Sequence, residues 1–257
     1  MIENMLRVRP RYHRWHVDSG VEWVETNTGY AFLDWEIPLA QAAVVLVDVW
    51  DKHYLKDTAA RAEGIVQEKV VPLLAGCRGA GMTLIHAPAP NMAKEQPAWV
   101  RLVSEEEMGE EREDWPPADF RAKKGDFAQY RRPVEARDGQ RDKLRAGLQM
   151  HPDVQPQGEE AVVANGEELH RYCRRQGILF LFYLGFNTNA CVLMRDYGTL
   201  EMSRRGYEIA VLRDCTTGME SAETHHSLGQ TRGAILFLEM FGKYSLTSNE
   251  LLAGLRQ

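Results

Sequence analysis

The feature that most constrains the fold of this chain is a series of short apolar runs separated by segments with helical periodicity. Runs such as VVLV and LFLFYL do not alternate with polar residues, which is typical of strands covered on both faces. Six strands are predicted on this basis, at residues 43–49, 82–88, 161–164, 178–184, 207–214 and 244–248. Their alternation with helices predicts an α/β three-layer sandwich, in which a central, mostly parallel six-stranded sheet carries helices on both faces.

The segments between these strands show the apolar spacing of amphipathic helices. Helices are predicted at residues 58–78, with an interruption at Pro72, and at 166–176, 190–205 and 221–241, and Ser248 is expected to cap a terminal helix. Ligands of parallel sheets bind at the carboxyl ends of the strands. Four residues of chemical interest fall at such ends in the predicted sheet: Asp48, His86, Cys191 and Asp214.

Two segments do not fit the alternating pattern. Residues 1–42 form an aromatic N-terminal extension, and the alternation in VEWVETNTGYAFLDWEI predicts a hairpin that turns at Asn27–Gly29. We expect this arm to pack on the core or on a neighbouring subunit. Within the main domain, 43–257, a polar stretch at about 89–160 is too long for a simple connection, which indicates a structured insertion or lid.

Composition excludes several classes of partner. The formal net charge of −6 argues against nucleic acid, and the apolar runs are too short to cross a bilayer. The first residues lack the apolar core of a signal peptide. The four cysteines show no framework spacing, which favours reduced thiols and a cytoplasmic location. We therefore expect a cytoplasmic protein that acts on a small molecule, with neither a nucleic acid nor a membrane as its partner.

Cys191 lies where a buried strand ends in a short polar turn and a helix begins. Unpaired N–H groups and the positive end of the helix dipole lower a thiol pKa at such a position. The same N–H groups stabilise an oxyanion on a substrate carbonyl. This position predicts a nucleophilic thiol, and the alternative is a small buried cysteine that packs the helix against the sheet.

Asp48 closes the first predicted strand, and a carboxylate at the end of an apolar strand is costly to bury unless it is paired or functional. In a partly dry pocket its pKa would rise, which would suit it to accept a thiol proton and return it to a leaving group. The alternative is an aspartate that caps the following turn.

The segment VVLVDVWDKHY, together with GFNTNACV, resembles the isochorismatase-like cysteine hydrolases, which include nicotinamidases and carbamoylsarcosine amidohydrolases. The likeness covers residues 43–88 and 161–250. It implies a catalytic triad of Asp, Lys and Cys, with Asp48 as the base and Cys191 as the nucleophile that forms a covalent intermediate. It also implies a cis peptide bond at Phe186–Asn187, an oxyanion hole formed by the N–H groups of Ala190 and Cys191, and a homo-oligomer (dimer or tetramer). We expect no cofactor.

The family lysine normally follows the third strand, where this sequence has Asn165. An asparagine carries no charge, so another cation would have to hold the thiolate and the carboxylate together. We rank Lys124 and Lys123 of the insertion first and Lys52 next.

Arg195 lies four residues after Cys191 on the predicted helix, and we expect it to pair with a buried acid such as Asp214 or Glu36.

The remaining candidates are pocket residues and a weaker metal site. The predicted pocket residues are Trp50, His53, Asn165, Asn187, Thr188 and Asn189. We expect no metal; the alternative is a site made of Asp51, His53 and His86.

The sequence thus predicts a cysteine-dependent hydrolase that cleaves a C–N bond in a small amide, ureide or carbamoyl compound through a thioester. Two alternatives remain: a catalytically impaired binding or scaffold protein, which Asn165 favours, and an isochorismatase-type enol-ether hydrolase, which Cys191 argues against.

Overall fold

The computed structural model describes residues 4–104, 107 and 116–256. Their strands are β1 Met5–Val8, β2 Arg11–Arg14, β3 Gly29–Phe32, β4 Trp35–Pro38, β5 Ala42–Val47, β6 Thr83–Ala87, β7 Ala161–Val162, β8 Phe180–Phe186, β9 Glu208–Thr217 and β10 Tyr244–Leu246. The central sheet has eight strands in the order β3-β2-β10-β9-β8-β5-β6-β7. Strands β1 and β4 pair separately.

Strands β5 to β10 run parallel to one another, which confirms the predicted α/β fold with its six-stranded parallel sheet. Every residue of β5 is buried. Complete burial explains why this strand is apolar without alternation, since helices cover both of its faces. The sheet has eight strands rather than six because β2 and β3 of the N-terminal arm extend it beyond β10 in antiparallel fashion.

The helices surround this sheet. They are α1 Lys56–Ile65, α2 Val71–Ala80, α3 Pro90–Lys94, α4 Ala118–Ala122, α5 Asp138–Ala146, α6 Gly166–Gln176, α7 Cys191–Met194, α8 Thr199–Arg204, α9 Gly229–Met240 and α10 Ser248–Gly254. A π-helical stretch, Val66–Val70, joins α1 to α2 directly before Pro72, which cannot donate a backbone hydrogen bond. No helix in the described part of the chain is both long and apolar enough to cross a membrane.

Two apolar clusters separate the three layers. On one face of the sheet, Val44 and Leu46 of β5 share a cluster with Leu73 of α2 and Leu251 of α10. On the other face, the neighbouring β5 side chains pack with buried residues of α6 and α9. The alternate side chains of one strand therefore lie in opposite layers, as the pleat requires.

The prediction of one continuous helix over residues 190–205 is wrong, because the helix is interrupted between α7 and α8. The residues of this interruption form hydrogen bonds with other segments: Asp196 accepts the N–H of Gly166, and Tyr197 donates its hydroxyl to the carbonyl of Pro88. Gly198 permits the turn, because a Cβ there would lie 2.9 Å from the carbonyl oxygen of Arg195. Tertiary hydrogen bonds therefore outweigh helical continuity at this point.

Two other boundaries differ from the prediction. Helix α9 begins at Gly229 rather than at residue 221. In its first turn, the N–H groups of Gln230 and Thr231 donate to the carboxylate of Glu220. The terminal helix is capped by Thr247 rather than by Ser248, because Thr247 and Glu250 form a reciprocal capping box.

The N-terminal arm packs on the core of its own chain. Its hairpin joins β2 to β3, and Asn27 ends a 3-10 helix, so the predicted turn at Asn27–Gly29 is wrong. Arg11 anchors the arm by pairing with the buried Glu239 of α9 at 2.9 Å. A long loop, rather than a tight turn, therefore connects the two paired strands β2 and β3.

The insertion meets the sheet near the carboxyl end of β5. The N–H of His151 donates to the carbonyl of Val49 at 2.8 Å, and Met150 forms a β-bridge with Trp50. These contacts place α5 beside the strand ends, where the residues of chemical interest converge.

Candidate active site

A cavity of about 280 Å³ opens at the carboxyl ends of β5, β6 and β8. Its lining contains Asp48, Trp50, Lys52, His53, Tyr54, Ala89, Asn91, Met92, Leu144, Arg145, Leu148, Asn187, Ala190, Cys191, Arg195 and Met219. The cavity brings Asp48 and Cys191 together because parallel strands end at the same edge of a sheet. Of the other predicted pocket residues, Trp50, His53 and Asn187 line it.

Asp48 is the first residue after β5 and is 4% exposed. Its backbone has a positive φ of 45°, a conformation that aspartate tolerates better than most residues, and its N–H donates to the carbonyl of Ala87. Burial raises the pKa of the carboxyl, and hydrogen bonding and charge from Cys191 and Arg195 lower it by less. Asp48 is therefore a stronger base than an exposed aspartate.

Cys191 begins α7 and is partly buried beside Asp48. Burial raises the pKa of this thiol to about 11, and the carboxylate of Asp48 adds to the effect, while Arg195 opposes it. The predicted lowering of the thiol pKa is therefore wrong. Helix α7 has only four residues, and a thiol in a partly dry pocket next to a carboxylate resists ionisation. The thiol keeps its proton at neutral pH.

Arg195 is the cation that pairs with Asp48 in this cavity. Its Nη2 lies 3.4 Å from Oδ2 of Asp48, and the side chain is 37% exposed. Burial lowers the pKa of the guanidinium, but Tyr197, Asp48 and Cys191 raise it by more, so the group stays charged. The three functional groups of Asp48, Cys191 and Arg195 therefore meet in one cavity.

The predicted partners of Arg195 are engaged elsewhere. Asp214 accepts the N–H and hydroxyl of Ser248, and Glu36 pairs with Arg7. Arg195 remains one turn after Cys191, since its N–H donates to the carbonyl of that residue, and its side chain reaches the cavity. The spacing from Cys191 was the available signal for this role.

The lysines that we ranked as substitutes are not part of the triad. Lys123 lies with its Nζ 3.5 Å from the ring centre of Phe120, Lys124 is exposed, and neither lines the cavity. Lys52 lines the cavity but pairs with Asp51 at 3.2 Å. The insertion reaches the cavity through Arg145 and its apolar neighbours instead.

Three other predicted pocket residues have structural roles. Asn165 is the N-cap of α6 and accepts the N–H of Glu168, and it borders a different cleft. The hydroxyl of Thr188 is buried against that of Thr216, at 2.6 Å. The side chain of Asn189 bonds both the carbonyl and the N–H of Met219. Their predicted place in the pocket is wrong, because each amide or hydroxyl holds a turn or a helix end.

The turn before Cys191 has a distinctive backbone. The peptide bond Phe186–Asn187 is cis, and Gly185 has a φ of 118°. A Cβ at Gly185 would lie 1.9 Å from the carbonyl oxygen of Val47, so only glycine fits. The carbonyl of Asn187 accepts the N–H of Ala190 at 3.0 Å and that of Val192 at 3.2 Å.

The two N–H groups that the resemblance assigns to an oxyanion hole differ in their hydrogen bonding. The N–H of Ala190 is used within the turn. The N–H of Cys191 donates to no acceptor in residues 4–104, 107 and 116–256. Cys191 is thus the donor that is available to a substrate carbonyl.

An aromatic wall borders the cavity. The imidazole of His53 lies between Trp50 and Tyr54, with ring centres 5.1 Å and 4.4 Å away. Burial lowers the pKa of His53. Its Nδ1 accepts the N–H of Leu55, so the neutral ring carries its proton on Nε2. A flat, mostly uncharged surface of this kind suits a planar group.

The alternative metal ligands are not brought together. Oδ1 of Asp51 accepts the N–H of Gln149, and Nε2 of His86 lies 2.9 Å from Glu160. No three His, Cys, Asp or Glu side chains among the described residues form a group that could hold a metal ion.

Comparison with known proteins agrees with the fold. Residues 42–240 match the family model described as the isochorismatase domain. A cysteine hydrolase from Pseudomonas syringae pv. phaseolicola 1448A is similar in structure, with a TM-score of 0.55 and 16% identity over 86% of this chain and 95% of its own. An isochorismatase family protein from Desulfovibrio vulgaris subsp. vulgaris str. Hildenborough has a TM-score of 0.50 and 17% identity over 84% and 99% of the respective chains. No curated protein matches.

Proposed function

Since the chain belongs to the isochorismatase family, a family of hydrolases, we propose that it cleaves a C–N bond in a small amide, ureide or carbamoyl compound through a covalent thioester. The observation that carries this proposal is the meeting of the Asp48 carboxylate, the Cys191 thiol and the Arg195 guanidinium in one cavity. A nucleophile, a base and a fixed positive charge are the groups that acyl transfer requires.

The first half of the reaction acylates the thiol. Asp48 accepts the thiol proton as Sγ of Cys191 attacks the substrate carbonyl, and the N–H of Cys191 donates to the developing oxyanion. Asp48 then gives the proton to the leaving nitrogen as the C–N bond breaks. The raised pKa of Asp48 favours its accepting the proton.

The second half releases the product. Asp48 accepts a proton from water, the hydroxyl attacks the thioester, and the proton returns to the sulfur as the C–S bond breaks. The net reaction consumes one water, and it yields a carboxylic or carbamic acid and an amine or ammonia. Asp48 is the one carboxylate among the described residues that line the cavity, so the same group serves both halves.

Arg195 takes the electrostatic role that the resemblance gives to the family lysine. Its positive charge favours the ionised form of Asp48 and lowers the pKa of Cys191. Unlike an ammonium, the guanidinium is a planar fork with several donors, so it can contact two negative groups at once.

The second candidate function is that of a binding or scaffold protein that no longer turns over. The observation that favours it is the use of Asn165 as a helix cap, where the family has its lysine. A third candidate, hydrolysis of an enol ether, has no such support, and the thiol in the cavity argues against it.

A panel of small amides, nicotinamide, ureides and carbamoyl compounds tests the proposal. We expect ammonia or amine release from at least one compound, with a mass increase on Cys191 that corresponds to the acyl group. Cys191→Ala should abolish both signals, and Cys173→Ala, which changes a buried cysteine outside the cavity, should keep them. If no compound gives turnover or an acyl-enzyme, the second candidate is favoured.

A further inference from the structure

Two buried acceptor oxygens in the cavity lack partners. Asp48 and Asn187 are 4% and 7% exposed, and both line the cavity. Oδ1 of each side chain has no hydrogen-bond partner in the described part of the chain. A buried acceptor without a donor costs about 1–3 kcal/mol, so such atoms are rare in folded proteins and call for an explanation.

The local structure does not use the amide of Asn187. Its backbone carbonyl holds the turn by accepting the N–H groups of Ala190 and Val192. Two residues further on, the amide of Asn189 has a structural role, because both of its polar atoms bond Met219. The two asparagines of this turn thus differ: one side chain fastens the turn, and the other borders the cavity.

We propose that Asn187 is a specificity-determining residue, which together with Asp48 binds an unsubstituted –NH₂ group of the substrate. This inference rests on the proposed function and adds to it the side chain that recognises the –NH₂ group. An –NH₂ group has two N–H donors, and the cavity offers two unpaired acceptors.

The reaction chemistry places the nitrogen beside Asp48. As the bond from Sγ of Cys191 to the carbonyl carbon forms and the C–N bond breaks, the nitrogen takes the proton from Asp48 and leaves as ammonia. The nitrogen must therefore lie within hydrogen-bonding distance of the carboxylate. Its second N–H is then directed to the carbonyl oxygen of the Asn187 side chain.

Substituted analogues would leave these acceptors unpaired. A dimethylamide or a methyl ester has the same carbonyl but no N–H, so its binding would bury both oxygens without donors. Sites that hydrogen-bond a substrate group reject analogues that lack it for this reason. The aromatic wall of Trp50 and His53 lies in the same cavity and leaves space for the rest of the substrate.

Protection of Cys191 from iodoacetamide tests this inference without requiring turnover. The probes are acetamide, N,N-dimethylacetamide and methyl acetate, and the corresponding benzamide, N,N-dimethylbenzamide and methyl benzoate. We expect a primary amide to protect Cys191 with an affinity about tenfold or more above its matched analogues, which corresponds to one unpaired buried acceptor.

Asn187→Leu should remove this preference, because the acceptor is replaced by an apolar side chain of similar size. The matched control is Asn249→Leu, which changes an exposed asparagine of α10 outside the cavity and should keep the preference. Circular dichroism and urea unfolding of both variants show whether each still folds. The Asn187→Ala variant, which also lacks the acceptor, repeats the test if the leucine variant does not fold.

The inference is overturned if the substituted analogues protect as well as the primary amides, if no probe protects, or if the preference persists in the Asn187 variants. An equal loss of amide and ester binding would mean that Asn187 donates to the carbonyl instead, which also overturns it. The proposed function fails separately, if no compound of the hydrolysis panel is turned over.

Discussion

At the scale of single residues, the site depends on three groups that change one another's pKa. The carboxylate of Asp48 raises the pKa of the Cys191 thiol, and Arg195 lowers both. Burial has the largest effect on each acid. The resting site therefore holds a protonated thiol, and the proton moves only when a substrate carbonyl accepts the sulfur.

The first prediction concerns Arg195. Arg195→Met should lower kcat/KM for the best amide of the panel by about a hundredfold, as expected when a preorganised charge is removed from an active site. It should also raise the pKa of Cys191, because the guanidinium lowers that pKa. The pH dependence of iodoacetamide labelling gives the second readout.

Arg195→Lys keeps the charge and should recover part of the activity. A merely structural role would lower stability in both variants and leave the labelling profile unchanged. An unchanged labelling profile together with wild-type kcat/KM in the methionine variant would contradict the electrostatic role of Arg195.

The second prediction concerns the thiol. Because the pKa of Cys191 is about 11, iodoacetamide should label it more slowly than an exposed thiol at neutral pH, and faster as the pH rises toward that value. Asp48→Asn removes the negative charge that raises the pKa, so labelling at mildly alkaline pH should accelerate while hydrolysis is lost. The measurement is the labelling rate of the Cys191 peptide by mass spectrometry.

The unfolded protein is the control for this measurement, since its four thiols are all exposed. Labelling of folded wild-type protein at the rate of the unfolded chain at neutral pH would contradict the raised pKa. So would an Asp48→Asn variant that labels more slowly than wild type.

At the scale of elements, the break between α7 and α8 is what directs Arg195 to Asp48. In a continuous helix the arginine would remain on the helical surface, whereas here its backbone is extended, with φ −61° and ψ 157°. Gly198, Asp196 and Tyr197 maintain this break by a close backbone approach and by hydrogen bonds to α6 and the end of β6.

The third prediction concerns this break. Gly198→Ala places a Cβ 2.9 to 3.0 Å from backbone atoms of Arg195 and Val192, which cannot move like a flexible side chain. We expect a loss of about 1–3 kcal/mol in the free energy of unfolding, the usual cost of overpacking, as measured in urea. Hydrolysis should fall further than stability alone explains, because Arg195 is displaced.

Gly64→Ala in α1 is the matched control, since a Cβ there meets no atom within 4 Å. It should keep or slightly raise stability, because alanine is the better helix former. Equal stability of the two variants would contradict the constraint at Gly198.

At the scale of the whole molecule, the sheet is longer than its parallel core. The N-terminal arm adds β2 and β3 beyond β10, so the parallel strands do not end at an open edge on that side. The arm is attached through Arg11, whose guanidinium lies 4.0 Å from the ring centre of Tyr30 and pairs with Glu239, a carboxylate that is 1% exposed.

The fourth prediction concerns this attachment. Arg11→Met leaves the charge of Glu239 buried without its cationic partner, although Ser245 still donates a hydrogen bond, and breaking a buried ion pair in this way costs about 3 kcal/mol or more. Thermal and urea unfolding should show the loss. Arg7→Met is the control, because Arg7 pairs with Glu36 on the surface and such pairs contribute about 1 kcal/mol or less. Equal effects of the two changes would contradict the anchoring role.

Sequence patterns predicted the position of the site and two of its three functional residues, but not the cation that completes it. Asp48 and Cys191 were predicted together because each ends a parallel strand, and such ends share one edge of the sheet. Lys123 and Lys124 were placed in the site because the insertion could fold over the strand ends, and Asn165 was placed there by the resemblance. All three lie elsewhere. Charged side chains reach across several turns, so sequence position alone does not decide their partners.

The sequence by itself determined the parallel α/β core, because an uninterrupted apolar strand is stable only when both of its faces are covered. It also indicated the turn before Cys191, because the apolar run stops at Gly185 and a short polar segment follows. Only the tertiary structure decided that Arg195 faces Asp48. It also decided that β3 pairs with β2, instead of following a tight turn at Asn27–Gly29. These features depend on contacts between distant segments, whose free energies no local pattern records.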